Sequence, residues 1–275
     1  PAPDGHGWLL RPGAMEEIIK RVSKVSFIIT PKGEKEIGYP KVIENDLYFT
    51  LSTAMQRKYD KLHKDFIVEL ENEEFIDRSK HKGTLYSRAV GYNYCSQFVC
   101  GYMKDYVDQG GDKPPKGISK YIHRERLNPL ERLIKILAGE PLLVLYHYQS
   151  DLELFAKMRL PKGSFEILKG GMTAQKRADI RDKWNRGGVK VLFSQIKVSS
   201  HGLNLQFGGH HILFFNVPDD YERYYQAFHR LVRSSQPSDT VTIWRIICRK
   251  TVDVINRMRV LKNKTLSARE FKSEM

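Results

Sequence analysis

The stretch "QAFHRLVRSSQ", Gln226 to Gln236, holds the side chains best suited to act on a charged ligand. Gln226, Arg230 and Arg233 stand at i, i+4 and i+7, one polar line if the segment is a continuous helix, with Tyr224, Phe228 and Leu231 on roughly the opposite side. Taken alone, such a line is the solvated face of an amphipathic helix. Two guanidiniums presented together have a second use, because each is planar, permanently charged and shaped for phosphate oxygens. Upstream lies "SSHGLNLQ", Ser199 to Gln206. There Gly202 lets the backbone approach an anion or adopt positive φ, and Ser200 and Asn204 offer short donors to a phosphate backbone. A plain turn between strand and helix is the alternative for that stretch. Lys169, followed by Gly170 and Gly171, offers one more phosphate contact.

The elements that must position these residues change character along the chain. From Pro1 to about Gly139 the pattern is mostly helical. Thr53 and Gln56 stand at capping-box spacing ahead of a stripe of Met55, Tyr59, Leu62, Phe66 and Leu70. A second helix is expected over Leu85–Tyr102. A third is expected with Asn128 as N-cap, Pro129 at its first position and Gly139 at its exit. The segment "DQGGDKPPKG" between them reads as a loop. From Pro141 onward short apolar runs alternate with helical patterns. "LLVLY" is followed by Ser150 and Glu153 as a capping box, and "FEIL" by Thr173 and a helix that buries Ile180 and Trp184. "VKVLF", "HILFF" and "VTIWRII" follow, the last leading through Thr251 into a final helix. Continuous apolar strands alternating with helices indicate an open parallel α/β sheet covered on both faces. Ligands of such sheets bind beyond the carboxyl ends of the strands, where this chain places "YHYQSD", "LKGGMT", "SQIKVSSHGLNLQ" and "NVPDD".

A formal net charge of +14 on 275 residues favours a polyanionic partner, nucleic acid before a membrane surface, over a merely soluble basic protein. The longest apolar runs are too short to cross a bilayer, so no membrane partner is expected. Three cysteines, Cys95, Cys100 and Cys248, make neither a disulfide framework nor a zinc spacing and fit a reducing, cytoplasmic setting. A first residue of proline rather than methionine reads as a piece of a longer protein. The adjacent His210 and His211 read as the start of a strand rather than as a metal pair, and no metal site is assigned. Lys176, Arg177, Arg181 and Lys183 read as a solvated basic face, with nearness to DNA as the alternative. Several common chemistries are absent: there is no Gly-Lys dipeptide, hence no P-loop, and no Asp-Glu pair to hold magnesium. H-E-x-x-H and G-x-S-x-G are missing as well. Any nucleotide chemistry must be shared with another domain.

"SSHGLNLQ", the strand "HILFF" and "QAFHRLVRSSQ", in that order, resemble motifs V and VI of the Swi/Snf-type ATPases of helicase superfamily 2. "LLVLYHYQSDLELF" is similar to motif IV, and the variant resembled most is the compact one of phages and prophages. The resemblance spans about Leu127 to Lys264. It implies a RecA-like second lobe over residues 127–275, preceded by an inter-lobe linker and helical insertion over 1–126. It further implies that ATP and Mg2+ are held mainly by a first lobe joined in cis, and that double-stranded DNA is the partner. On this resemblance Arg230 and Arg233 are arginine fingers, Gln226, Gly202 and Gln236 line the nucleotide cleft, and Ser200, Asn204 and Lys169 touch DNA. A nuclease partner would fit the phage variants, although no residue shows it. A non-catalytic DNA-binding or scaffold module derived from such a lobe is the alternative. The family ends motif VI in Arg-x-Gly-Gln, and Ser235 stands here in place of that glycine. If the position needs φ > 0, serine costs about 1 kcal/mol or more.

Overall fold

The computed structural model describes residues 13, 17, 21, 38–73, 83–107, 116–199, 203–218 and 221–261. The chain divides into a unit of residues 1–39 and a unit of residues 40–275. In the first, Glu17 donates its backbone N–H to Gly13 and accepts from Arg21 one helical turn on. The second contains the sheet. In chain order it runs β1 (Lys41–Phe49), α1 (Thr53–Glu73), α2 (Gly83–Cys100), β2 (Tyr102–Val107), β3 (Lys116–Tyr121), α3 (Leu127–Ile136), β4 (Leu142–Tyr146) and α4 (Asp151–Phe155). It continues through β5 (Phe165–Leu168), α5 (Ala174–Asn185), β6 (Val191–Gln195), α6 (Ile196–Ser199), β7 (His211–Phe214), α7 (Tyr221–Phe228), β8 (Thr240–Cys248) and α8 (Val252–Leu261).

Six strands form one sheet in the order β1-β8-β7-β4-β6-β5, and every neighbouring pair is parallel. β4 and β7 are buried along their whole length, as a parallel sheet covered on both faces demands. Alternate residues go to opposite faces. Leu142, Val144, Tyr146, Phe193, Leu213 and Phe215 pack with Leu127, Leu130 and Leu133 of α3 on one side. On the other, Phe214 stacks against Tyr224 of α7 with ring centroids 4.4 Å apart. The expected open parallel α/β sheet with helices on both faces is therefore present.

Two features were not expected. β1 comes from the stretch expected to be helical, yet it pairs with β8 over its full length, from Lys41 opposite Thr240 to Phe49 opposite Cys248. Its carboxylates are neutralised from the sheet: Arg245 of β8 bonds Asp46 at 2.7 Å and also Glu44, while Arg257 of α8 reaches Asp46. The carboxyl of Asp46 is raised by burial but lowered more by these two arginines, for a net pKa below its ordinary range. β2 and β3 form a separate antiparallel hairpin. Of the expected "DQGGDKPPKG" loop, residues 108–115 lie outside the described residues, and Lys116 and Gly117 belong to β3.

Capping departs from expectation where a tertiary partner competes. Ser150 makes no cap bond, because its hydroxyl lies 2.8 Å from that of Ser119 on the hairpin. Asn128 and Pro129 fall inside the first turn of α3, whose N-cap is Arg126. Thr53 is the first helical residue of α1 rather than its cap. Thr173 does cap α5, accepting from the Lys176 N–H at 3.2 Å, and Gly139 leaves α3 at φ +95°.

Arg126 itself is fully buried. Its guanidinium donates to the Phe215 carbonyl at 2.7 Å, to Asp253 at 2.8 Å and to the Ile246 carbonyl at 3.2 Å. Asp253 also accepts the Cys248 N–H at 2.9 Å. One side chain thus fastens α8 to the carboxyl ends of β7 and β8. Burial opposes its charge, but Asp253 opposite holds the pKa above the ordinary arginine value.

Candidate functional site

The sheet order brings the segments leaving β4, β6 and β7 to one rim at its carboxyl edge. α7 follows β7 and ends at Phe228, so "QAFHRLVRSSQ" is not one helix. Arg230 and Leu231 bond back to Ala227 and Phe228, three residues earlier, which tightens the last turn. Leu231 and Val232 are buried beneath this turn. Gln226, Arg230 and Arg233 therefore do not form a single helical line. The turn brings the two arginines together by another route.

Arg233 folds back over this turn. Its Nε donates to the His229 carbonyl at 2.8 Å and its Nη1 to Asn204 Oδ1 at 2.5 Å. Asn204 belongs to the stretch after α6, so the two polar motifs meet. Arg230 is half-buried, and its pKa is lowered first by that burial and then by the nearby charge of Arg233. Two like charges held together and partly out of water are a donor pair whose chemistry suits an anion.

α5 and the residues before β7 hold the Asn204 stretch in place. Trp184 is fully buried and donates to the Leu205 carbonyl at 2.8 Å, while Asn185 donates to the Asn204 carbonyl at 2.9 Å. A Cβ on Gly208 would meet the Trp184 indole at 2.2 Å, which explains glycine there. Gln206 donates to Ser235 Oγ at 3.1 Å, a second bond between the two motifs. Among the described residues the non-glycine positions of positive φ are Ala138 and Lys250, so Ser235 carries no left-handed strain. Its hydroxyl instead serves Gln206.

The remaining expected site residues distribute as follows. Gln236 turns inward: its amide donates to the carbonyls of Gly209 at 3.2 Å and Leu231 at 3.1 Å and accepts from the Ser238 N–H at 3.2 Å. Gln226 sits on α7 and donates to Glu222 at 2.9 Å. Lys169 is exposed at the carboxyl end of β5, on the same rim but three strands from β7, roughly 14 Å at ordinary strand spacing. Gly170 beside it donates to the Gln195 side chain at 3.2 Å, which ties that loop to β6. Ser200 and Gly202 lie outside the described residues. On α5, Arg181 pairs with Asp182 at 2.7 Å and Lys183 with Glu166 at 2.6 Å, so half of the expected basic face is neutralised locally.

Sequence reasoning missed Asp151. It is fully buried below the rim, with Oδ2 accepting the Tyr148 N–H at 3.0 Å. Burial raises its carboxyl to about 7, against the lowering effect of that bond and of Arg126. The stretch "YHYQSD" had been marked as rim, but nothing local distinguishes a buried aspartate from a helix cap. Nearby, His147, Tyr148 and Asn216 line a cleft whose other wall is Tyr92 and Ser96 of α2 and Asn256 of α8.

The profile of the helicase conserved C-terminal domain matches residues 125–235. Protein p41 of Acyrthosiphon pisum secondary endosymbiont phage 1 is 32% identical over 160 residues, covering 55% of this chain and 33% of that protein. The chain thus spans about a third of the length of the curated relative it matches. Among solved structures, the C-terminal part of the Fun30 ATPase domain superposes with a TM-score of 0.62 at 13% identity, over 84% of this chain and 92% of that one. The Sulfolobus solfataricus SWI2/SNF2 ATPase core domain superposes with a TM-score of 0.56 at 16% identity, over 95% of this chain and 52% of that one. At these identities the structural likenesses speak to the fold, which is RecA-like. No helix among the described residues is long and apolar enough to cross a membrane.

Proposed function

We propose that this chain, whose residues 125–235 are a helicase conserved C-terminal domain, is the second motor lobe of an ATP-dependent DNA translocase of Swi/Snf type. The observation that carries the reading is the bond from Arg233 to Asn204, with Arg230 half-buried beside it at the carboxyl edge of the sheet. The side chains that meet at this turn, Arg230, Arg233 and Asn204, are cationic or amide. That donor set suits phosphate oxygens and does not suit Mg2+, which takes carboxylates and water. The metal would therefore be held with ATP by a first lobe bearing the P-loop and acidic pair, where it neutralises charge on the phosphates. Arg230 and Arg233 would face the γ-phosphate across the closed cleft and stabilise the charge that spreads over its oxygens during transfer. Gln226 braces the helix that leads into the turn. Gln236 acts by holding the turn from within rather than by touching the nucleotide.

The bond between Arg233 and Asn204 links that cleft to the loop of Ser200, Gly202 and Asn204, which together with Lys169 would follow a DNA backbone. Closing the cleft on ATP then shifts the DNA-contacting loop, and repeated closure steps the protein along duplex DNA. The net charge of +14 supplies the electrostatic attraction.

The test joins this chain to a first lobe carrying a P-loop. Expected are no ATP hydrolysis by the chain alone and duplex-stimulated hydrolysis by the two-lobe protein. Lys169→Ala should weaken DNA binding evenly across sequences and reduce the salt slope by about one. A two-lobe protein that folds and binds duplex DNA yet hydrolyses no ATP above background would favour the non-catalytic scaffold.

A further inference from the structure

At the amino edge of the sheet, opposite the arginine rim, two imidazoles and a carboxylate converge. Glu140 follows the exit turn of α3, His210 immediately precedes β7, and His211 opens it. β4 and β7 are neighbours with Leu142 opposite His211, which brings Glu140 alongside the histidines. One carboxylate oxygen, Glu140 Oε2, lies 2.7 Å from His211 Nε2 and 3.4 Å from His210 Nε2. All three ligand atoms lie within 4.8 Å of one another. We propose that Glu140, His210 and His211 form a site for one divalent transition cation of the zinc type, a structural clamp between the starts of β4 and β7.

The donor set selects the cation. Two imidazoles and one carboxylate suit Zn2+, Co2+ or Ni2+, whereas Mg2+ prefers an all-oxygen shell. Bond lengths of about 2.0–2.2 Å in tetrahedral array put ligand atoms about 3.3 Å apart. The spacing from His210 to Glu140 already has this value. That from His211 must open by about half an ångström to fit the same array, and Glu140, whose side chain is 55% exposed, is free to give it. Exposure of Glu140 and of His210 leaves the fourth position to water.

Burial first, and then the neighbouring His211, lowers the pKa of His210 and favours the neutral, metal-binding ring. The Glu140 carboxyl is held below its ordinary value, chiefly by its bond to His211. Behind the site, Trp244 Nε1 lies 3.5 Å from His211 Nδ1. Metal on Nε2 puts the proton on Nδ1, so uptake gives up this long contact.

The experiment uses the full chain, stripped with chelator and titrated with Zn2+ by equilibrium dialysis and with Co2+ by absorption. Expected are one equivalent of metal, a tetrahedral Co2+ spectrum without thiolate charge-transfer bands, and a Tm that rises with Zn2+. Glu140→Gln and His210→Ala should each weaken binding by at least about tenfold and abolish the rise in Tm. These two are chosen because His211 is buried and its removal would disturb the core. Sub-stoichiometric binding, binding unchanged in both variants, or a thiolate band assigning the metal to cysteine would overturn the site. Failure here leaves the motor-lobe reading untouched, because the two rest on opposite edges of the sheet.

Discussion

Replacing Arg126 with alanine removes a guanidinium that is wholly out of water and that three acceptors share. The carboxylate of Asp253, only 5% exposed, would keep the Cys248 N–H but lose its counter-charge. The carbonyls of Phe215 and Ile246 would lose their side-chain donor. Breaking a buried pair by removing one partner costs about 3–5 kcal/mol, a third or more of the stability of an ordinary domain. With a urea slope of about 2 kcal/mol/M, the unfolding midpoint should fall by roughly 2 M. The assay is urea titration followed by far-UV circular dichroism on the wild type, Arg126→Ala, Asp253→Asn and the double variant. Because the partners share one bond network, the double variant should cost less than the sum of the singles by about 1–3 kcal/mol. Midpoint shifts below about 0.5 M for both singles, or strict additivity, would refute the claim that this pair fastens α8 to β7 and β8.

Other perturbations discriminate among the remaining contacts. Gly208→Ala places a methyl 2.2 Å from the Trp184 indole and should cost about 1–3 kcal/mol, with a shift in tryptophan emission as the bond to Leu205 is lost; an unaltered emission and midpoint would contradict that close approach. Ser235→Gly, which restores the family's glycine, should destabilise by about 1 kcal/mol through loss of the Gln206 bond. A gain in stability would mean that Ser235 is strained after all. Asp151 has a folded pKa of about 7 against an ordinary 3.8, so it takes up a proton on folding. Its stabilising contribution is complete below the lower value and is lost as pH rises through the upper one. Asp151→Asn should flatten the stability profile between these values, and an unchanged slope would show that the carboxyl is not the titrating group.

Legibility in the sequence followed how local the cause was. β4, β6, β7 and β8 are apolar runs dictated by burial on both faces, and the edge strand β5 is a shorter one, so their alternation with helices could be read directly. Thr173 and Gly139 act on their own helix ends and were equally plain. β1 escaped because its Glu44 and Asp46 are neutralised by Arg245 and Arg257, about two hundred residues away. Ser150 carries a capping signal that Ser119 overrides. In the candidate site, the meeting of Arg233 with the Asn204 stretch agrees with the motif order. The end of α7 at Phe228 was hidden, because an i, i+4, i+7 line looks the same in the sequence whether or not the helix continues along it. The inward bonds of Gln236 were hidden for a related reason: its backbone acceptors are defined only once the turn has formed.

In the proposed motor, Arg230 and Arg233 complete a nucleotide site whose other half lies on a first lobe. Single-turnover ATP hydrolysis by the DNA-bound two-lobe protein, wild type against Arg233→Ala, tests it most directly. A loss of about 10³-fold or more in the hydrolytic step is expected while nucleotide binding is largely kept, as removal of an arginine finger entails. Hydrolysis by Arg233→Ala at the wild-type rate would contradict it.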